Sequence, residues 1–361
     1  MLELIIMGFL SVEKDTLRII DANLNRIGEG LRVLEELARL SLDDSGLTQR
    51  LKNLRHDIVI VDSGLREKLL DARDSVKDVG ADMLAEGEAA GRSKIELVTA
   101  NARRAEESLR VMEEMARLPE MTLDTEKFKR ARFALYTIEK ELAAGLGRKE
   151  KISRITGLYA IIDIAFLEGR DYQEVTSQVI RGGARVIQLR AKELKKRDFL
   201  EIARGMKRLC LENGVLFLIN DSLDIALAVD ADGLHIGNDD LPADVARCLL
   251  PGDKILGCSA RTVERAITLA GQGADYLGVG AMYATGTKNK AEVVGKERLM
   301  EIRRSVNIPV VAIGGISHTN VKNIIAAGAD AVAVISAILK SDDIEKATRQ
   351  LVDSIEGGEN G

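Results

Sequence analysis

Hydrophobic positions change their spacing once along the chain. Over residues 11–145 they recur three or four apart among many charged residues, as at Leu31 and Leu34 or Leu109 and Met112. That spacing predicts amphipathic helices with one buried stripe. Over residues 157–361 short apolar, β-branched runs alternate with helical stretches. The runs are 157–163, 185–190, 216–221, 233–237, 254–259, 276–280, 309–315 and 331–336. Between the two patterns, Ala143–Thr156 holds Gly145, Gly147 and a basic cluster, which predict a helix stop and an exposed linker over 146–156.

The helical part contains an internal repeat. Ala22–Leu40 and Ala100–Leu118 are offset by 78 residues and identical at 12 of 19 positions. A second match sets Leu51–Ile58 against Phe128–Leu135. Each unit therefore reads as helix, turn, helix, and the whole as a duplicated helical hairpin close to a four-helix bundle. The repeat keeps polar positions too: Asn23/Asn101, Arg26/Arg104, Arg32/Arg110, Glu35/Glu113 and Glu36/Glu114. Pairs of Arg and Glu three or four apart suit a solvated face. Two other readings stay open: an anion pocket lined by Asn23, Arg26, Asn101 and Arg104, or an oligomerisation surface.

Near-continuous apolar strands alternating with helices predict parallel strands covered by helices. Eight of them before the chain ends fit an α/β domain of the (β/α)8 TIM-barrel class. A doubly wound sheet is the alternative, but no glycine-rich dinucleotide turn follows the first run. In a barrel, chemistry sits at the C-terminal strand ends. Gln188, Arg190 and Lys192 alternate at the second strand end and so point one way. Two cations and an amide at one spot suit a diphosphate. Asn220–Asp221 and Asp239–Asp240 follow strands three and four; such carboxylates match the few protein ligands that Mg2+ takes. Ser259 ends strand five, and Thr285, Thr287 and Lys288 follow strand six. Gly314–Gly315 and Ile335–Ser336, after strands seven and eight, occupy the usual barrel phosphate position. His235 is expected to serve packing or a local hydrogen bond, and His318 to lie in a surface loop. The segment Thr285–Lys290 is expected to act as a lid.

Composition narrows the class. A net charge of -5 and the absence of Trp argue against a nucleic-acid partner. Three scattered cysteines, Cys210, Cys248 and Cys258, form no zinc or disulfide pattern and are expected to be buried and inert. No stretch reaches the roughly 18 apolar residues of a membrane span. The apolar start MLELIIMGFL lacks a basic flank and a cleavage site, so it reads as an extension, with Met7 an alternative start. A cytoplasmic enzyme or regulator without a membrane partner is expected. Residues 1–145 contain no G-x-x-x-x-G-K-[ST] phosphate loop.

The motifs QLRAK, ND, ADGLHIGNDDLP, GCS, YATGTK, AIGGI and VIS occur in this order. With them, residues 157–361 closely resemble thiamine-phosphate synthase. The N-terminal repeat resembles the extra domain of the cyanobacterial-type fused form, for which an alternative hydroxymethylpyrimidine-phosphate kinase activity has been proposed. The resemblance implies coupling of 4-amino-2-methyl-5-(diphosphooxymethyl)pyrimidine to a thiazole phosphate, with one Mg2+ per barrel. It implies that Gln188, Arg190, Lys192, Asn220, Ser259 and Lys288 hold the pyrimidine diphosphate. Asp221 and Asp240 would bind the metal, and Thr285, Thr287, Gly315, Ile335 and Ser336 the thiazole phosphate. Arg190, Lys192 and Lys288 would neutralise the leaving group. Two positions depart from the family pattern: Arg261 where a His is common, and Ala284 where a Pro is common. Two rival readings are a thiazole tautomerase-like barrel and a non-catalytic ligand sensor. Homo-oligomerisation is left open.

Overall fold

The computed structural model describes residues 12–74, 92–284 and 293–357. Thr285, Thr287, Lys288 and the expected lid lie outside the described residues, as does Met7. The chain divides into two compact units, 1–147 and 148–361.

Among its described residues the first unit has helices and no strand. It comprises α1 (Lys14–Glu36), a π-helical turn over Leu37–Leu42, α2 (Ser45–Val59), α3 (Ser63–Ala72), α4 (Lys94–Met115) and most of α5 (Thr125–Ser153). The hairpins α1–α2 and α4–α5 are the two copies of the repeat, and α3 is an additional helix. Helix starts follow local chemistry. Asp44 and Asp62 cap α2 and α3 through the amides of Leu47 and Leu65, and Ser93 with Glu96 forms a capping box on α4. The repeated stripes, Ile20, Leu24, Ile27, Leu31 and Leu34 on α1 and Val98, Ala102, Ala105, Leu109 and Met112 on α4, bury into one core. The two helices approach closely at Gly30, where a Cβ would lie 2.8 Å from the Asn101 carbonyl oxygen.

The polar positions of the repeat sort differently. Arg26 and Arg104 are exposed, while Asn23 and Asn101 are buried. Each Asn donates its side-chain N–H to the carbonyl one turn back, at Ile19 and Leu97. Those amides serve their own helices, and the anion-pocket reading is corrected accordingly. The Arg–Glu pairs do form, at Arg32–Glu35 and Arg110–Glu113. They are not on a purely solvated face: Glu35 and Glu113 are buried. Each also takes an arginine from the following helix, Arg55 at 3.0 Å and Arg132 at 2.6 Å. Buried carboxylates need such partners.

The helix stop expected at Gly145 and Gly147 is absent, because α5 continues to Ser153. Gly145 is there for packing: a Cβ on it would sit 2.8 Å from Leu42 Cδ1.

In the second unit, eight parallel strands close into a barrel in sequence order. They are β1 (Gly157–Asp163), β2 (Val186–Arg190), β3 (Leu216–Asn220), β4 (Gly233–Ile236), β5 (Ile255–Ala260), β6 (Tyr276–Gly280), β7 (Val310–Ile313) and β8 (Ala331–Val334). Helices α6 (Tyr172–Arg181), α7 (Lys196–Glu212), α8 (Leu223–Ala228), α9 (Ala243–Leu249), α10 (Val263–Gly271), α11 (Gly295–Ser305) and α12 (Val321–Ala326) follow β1 to β7 in turn. After β8 come α13 (Ser336–Leu339) and α14 (Ile344–Glu356). Alternation along each strand divides the apolar residues. Leu158, Ile187, Phe217, Leu234 and Leu277 face the helices, while Tyr159, Val186, Leu216, Ile255 and Tyr276 fill the interior. Ile152 and Ile155, at the end of α5 and just beyond it, belong to the interior cluster.

Candidate active site

Strand parity carries inward side chains from the filled lower barrel to its open C-terminal end. There a cavity of about 240 Å³ is lined by Gln188, Arg190, Lys192, Asn220, Asp221, Asp240, Ser259, Gly315, Ile335 and Ser336. All the barrel's candidate substrate and metal residues within the described part of the chain therefore converge. His235, Arg261, Tyr159 and Tyr276 line the same cavity.

On β2, Gln188 is buried and Arg190 is partly accessible, and just beyond it Lys192 is exposed. Arg190 is held by an ion pair to the buried Asp163 at the end of β1. At the end of β3, Asp221 takes a left-handed backbone with φ 63°, a conformation that Asp tolerates better than most residues. Its N–H donates to the His235 carbonyl at 2.8 Å. Lys192 Nζ lies 3.2 Å from its carboxylate. Asp240 accepts from the Gly237 amide at 2.7 Å, which folds the loop after β4 towards Asp221. Burial, and then the adjoining Asp240 carboxylate, raise the Asp221 pKa against the pull of Lys192.

Two facing carboxylates, one of them largely out of water, form a donor set that a hard divalent cation would relieve. Among the described residues there is no group of three or more His, Cys, Asp or Glu poised for a metal. Any such ion would take these two carboxylates and draw its remaining oxygens from ligand or water. On the opposite rim, Gly314 (φ 97°) and Gly315 (φ 69°) bend the chain after β7. A Cβ on Gly315 would lie 2.7 Å from Tyr283 Cβ, so only glycine fits there.

Along the cavity floor, hydrogen bonds run from Gln188 Nε2 to Tyr159 Oη (2.7 Å) and between the Tyr159 and Tyr276 hydroxyls (2.8 Å). They continue to His235 Nδ1 (2.9 Å) and from His235 Nε2 to Ser259 Oγ (3.1 Å). Burial pushes both phenols above their ordinary range, so both stay neutral. The histidine thus makes the local hydrogen bonds expected of it, but as part of the cavity wall. Sequence reasoning missed Tyr159, Tyr276 and Asp163. A usable signal existed: two tyrosines at inward positions of apolar strands, whose hydroxyls must find partners.

His318 is exposed, as expected. The cysteines divide: burial pushes the Cys210 and Cys258 thiols up to about 12, whereas Cys248 is exposed, against expectation. No helix among the described residues is long and apolar enough to cross a membrane.

Comparison with known proteins agrees with this geometry. Residues 158–338 match the thiamine monophosphate synthase family, and residues 18–141 match the ThiD2 family. A thiamine-phosphate synthase of Thermosynechococcus vestitus is 36% identical over 345 residues, covering 95% of each chain. One from Moorella thermoacetica is 50% identical over 195 residues, covering 54% of this chain and 93% of its own. The structure of a thiamine phosphate pyrophosphorylase from Pyrococcus furiosus superimposes with a TM-score of 0.54 at 38% identity. That match spans 58% of this chain and 98% of the other. The chain belongs to the thiamine-phosphate synthase family, transferases of thiamine biosynthesis, in the form that carries a ThiD2 domain ahead of the barrel.

Proposed function

We propose that the barrel, residues 157–361, joins 4-amino-2-methyl-5-(diphosphooxymethyl)pyrimidine to 4-methyl-5-(2-phosphoethyl)thiazole, or its carboxylated form, releasing diphosphate. The helical domain of this reading occupies 11–145, residues 146–156 join it to the barrel in large part as the continuation of α5, and the enzyme works in the cytoplasm. The observation that carries the reaction is the convergence of Arg190 and Lys192 with the Asp221–Asp240 pair in one cavity, opposite the glycine-bent rim after β7.

In this reading Gln188, Asn220 and Ser259 bind the pyrimidine half, and Arg190 and Lys192 bind its diphosphate. Lys288 joins them, and Thr285, Thr287, Gly315, Ile335 and Ser336 hold the thiazole phosphate. Asp221 and Asp240 hold one Mg2+, which when bound supplies positive charge to the diphosphate oxygens. The methylene C–O bond breaks with its electron pair leaving on diphosphate, aided by electron donation from the 4-amino group. Arg190 and Lys192 stabilise that departing charge. The thiazole nitrogen lone pair forms the new C–N bond, and the rim contacts hold it close to the methylene. No general base is needed, because the coupling removes no proton; with the carboxylated thiazole, CO2 also leaves and the carbon that bore it takes up one proton.

The test is a product assay on the full-length chain with both substrates and Mg2+. Thiamine phosphate and diphosphate should appear in equal amounts and vanish with a chelator. Asp221→Asn should lower kcat/KM by roughly 100-fold or more, the scale of losing a transition-state charge contact. Well-folded protein that isomerises a thiazole carboxylate phosphate, or binds ligand without turnover, would instead support the tautomerase or sensor reading.

A further inference from the structure

The hydrogen bonds along the cavity wall join Gln188 and Ser259 through Tyr159, Tyr276 and His235, and all five residues line the cavity. Tyr159 and Tyr276 are each 1% exposed, so no bulk water can substitute for a broken link. The interior is shaped around these rings. A Cβ on Gly257 would lie 2.1 Å from Tyr276 Cζ, and one on Gly278 would lie 2.9 Å from His235 Cε1.

We propose that Tyr159, Tyr276 and His235 are positioning residues that lock Gln188 and Ser259 into opposite hydrogen-bonding polarities. They thereby select a 4-aminopyrimidine over its 4-oxo analogue. The inference rests on the substrate reading above and deepens it.

Each link consumes one hydrogen, and each tyrosine owns one, as does an imidazole with a single ring N–H. Gln188 donates its amide N–H to Tyr159. The one order that leaves no buried hydroxyl hydrogen unused has Tyr159 donating to Tyr276, and Tyr276 to His235 Nδ1. His235 carries its proton on Nε2 and donates to Ser259 Oγ. Ser259 keeps its own hydrogen for the cavity, and Gln188 keeps Oε1. One end offers an acceptor and the other a donor.

A 4-aminopyrimidine presents an amino donor and ring nitrogens that accept, which complements both ends. A 4-oxopyrimidine presents a carbonyl and a ring N–H. Accommodating it requires both ends to invert. That in turn requires rotation of the Gln188 amide, reversal of both hydroxyls and a change of His235 tautomer. No single link can switch alone without leaving a buried polar group unpaired, which makes discrimination collective.

Tyr276→Phe and Tyr159→Phe keep the rings and remove the links. Each should lower kcat/KM for the aminopyrimidine diphosphate by about 10- to 100-fold, the cost of one unpaired buried group. Each should also reduce the preference over the 4-oxo diphosphate by roughly tenfold or more. The KM for thiazole phosphate should not change. If both variants keep the wild-type rate and preference, the tyrosines merely fill the barrel and the proposal is overturned.

A second measurement needs no variant and no turnover. In 15N NMR of the unmodified, ligand-free chain, His235 should be neutral with its proton on Nε2; an Nδ1–H tautomer or an imidazolium overturns the stated polarity. Wild-type protein that makes no thiamine phosphate would sink the substrate reading, and the selectivity with it. The NMR result would still decide the polarity of the relay.

Discussion

Arg190 ends β2 and enters the cavity already engaged, because Asp163 on the neighbouring strand holds its guanidinium. A long arginine at a strand end would otherwise sample many rotamers, each costing entropy when a ligand binds. Asp163 is buried and also accepts from the Ala165 amide at 3.2 Å, so the carboxylate is itself fixed. Asp163→Asn should therefore weaken binding of inorganic diphosphate by about tenfold or more, the scale of one charge-assisted hydrogen bond. Calorimetric titration checks it, with unchanged far-ultraviolet circular dichroism as the control for folding. An unaltered affinity would mean that Arg190 is positioned by its own strand. The candidate side chains Gln188, Arg190 and Lys192 were legible because alternation along one strand is a local rule. Asp163 was not, since its partner comes from the following strand and only sheet register, Asp163 opposite Arg190, brings them together. Tyr159 and Tyr276 were hidden for the same reason: they meet across the barrel, 117 residues apart in sequence.

Three strands share an anchoring device. Asp232, Asp275 and Asp330 stand just before β4, β6 and β8, at the closed end of the barrel. Each accepts from the amide of a residue on the preceding strand, Phe217, Leu256 and Val310 respectively, at 2.8–3.0 Å. Each also donates its own N–H to that residue's carbonyl, so register is clamped on both sides. Basic side chains neutralise the carboxylates: Lys207 at Asp232, Arg247 at Asp275 and Arg303 at Asp330. Before β2 the place is taken by Arg185, whose N–H makes the matching bond to Leu158. Asp275 is the most deeply placed of the three by side-chain exposure, 10% against 16% and 29%. Asp275→Ala would strand the Leu256 amide and leave the partly buried Arg247 with carbonyl acceptors but no counter-charge from Asp275. Loss of one partner of a buried pair costs roughly 3–5 kcal/mol. Chemical denaturation of the barrel should show that loss, with a smaller one for Asp330→Ala; equal effects would refute the ranking by burial. The eight strands themselves were readable to within about two residues, since parallel strands covered on both faces leave dense apolar runs. The course of α5 was not. Glycine reads as a stop from sequence, but Gly145 is helical and makes room for Leu42.

At the scale of the molecule, the apolar clusters of the helical unit and of the barrel share no residue. Two separate cores predict two unfolding transitions rather than one. A titrating group confined to one unit can tell them apart. Glu106 on α4 lies beside Glu139 on α5, and one of its carboxylate oxygens is buried with no hydrogen-bond partner among the described residues. Burial, and then the charge of Glu139, push its pKa up to about 7. The duplication has diverged here, because the equivalent position on α1 is Gly28, which faces Val59. Glu106 is a carboxyl whose folded pKa lies above its unfolded value of 4.5. Below pH 4.5 Glu106 is protonated in both states and takes nothing from the stability of the helical unit. Between pH 4.5 and about 7 the unfolded chain ionises first, so stability falls as pH rises, and above that the loss is complete. Glu106→Gln removes the ionisation while keeping the shape. Heating scans at pH 5 and pH 8 should therefore show one transition that moves down with pH in the native chain and moves less in Glu106→Gln. The other transition should respond to Asp275→Ala and not to Glu106→Gln. If a single transition shifts in both variants, the two cores melt as one cooperative body and the division of the chain into separate folding units fails.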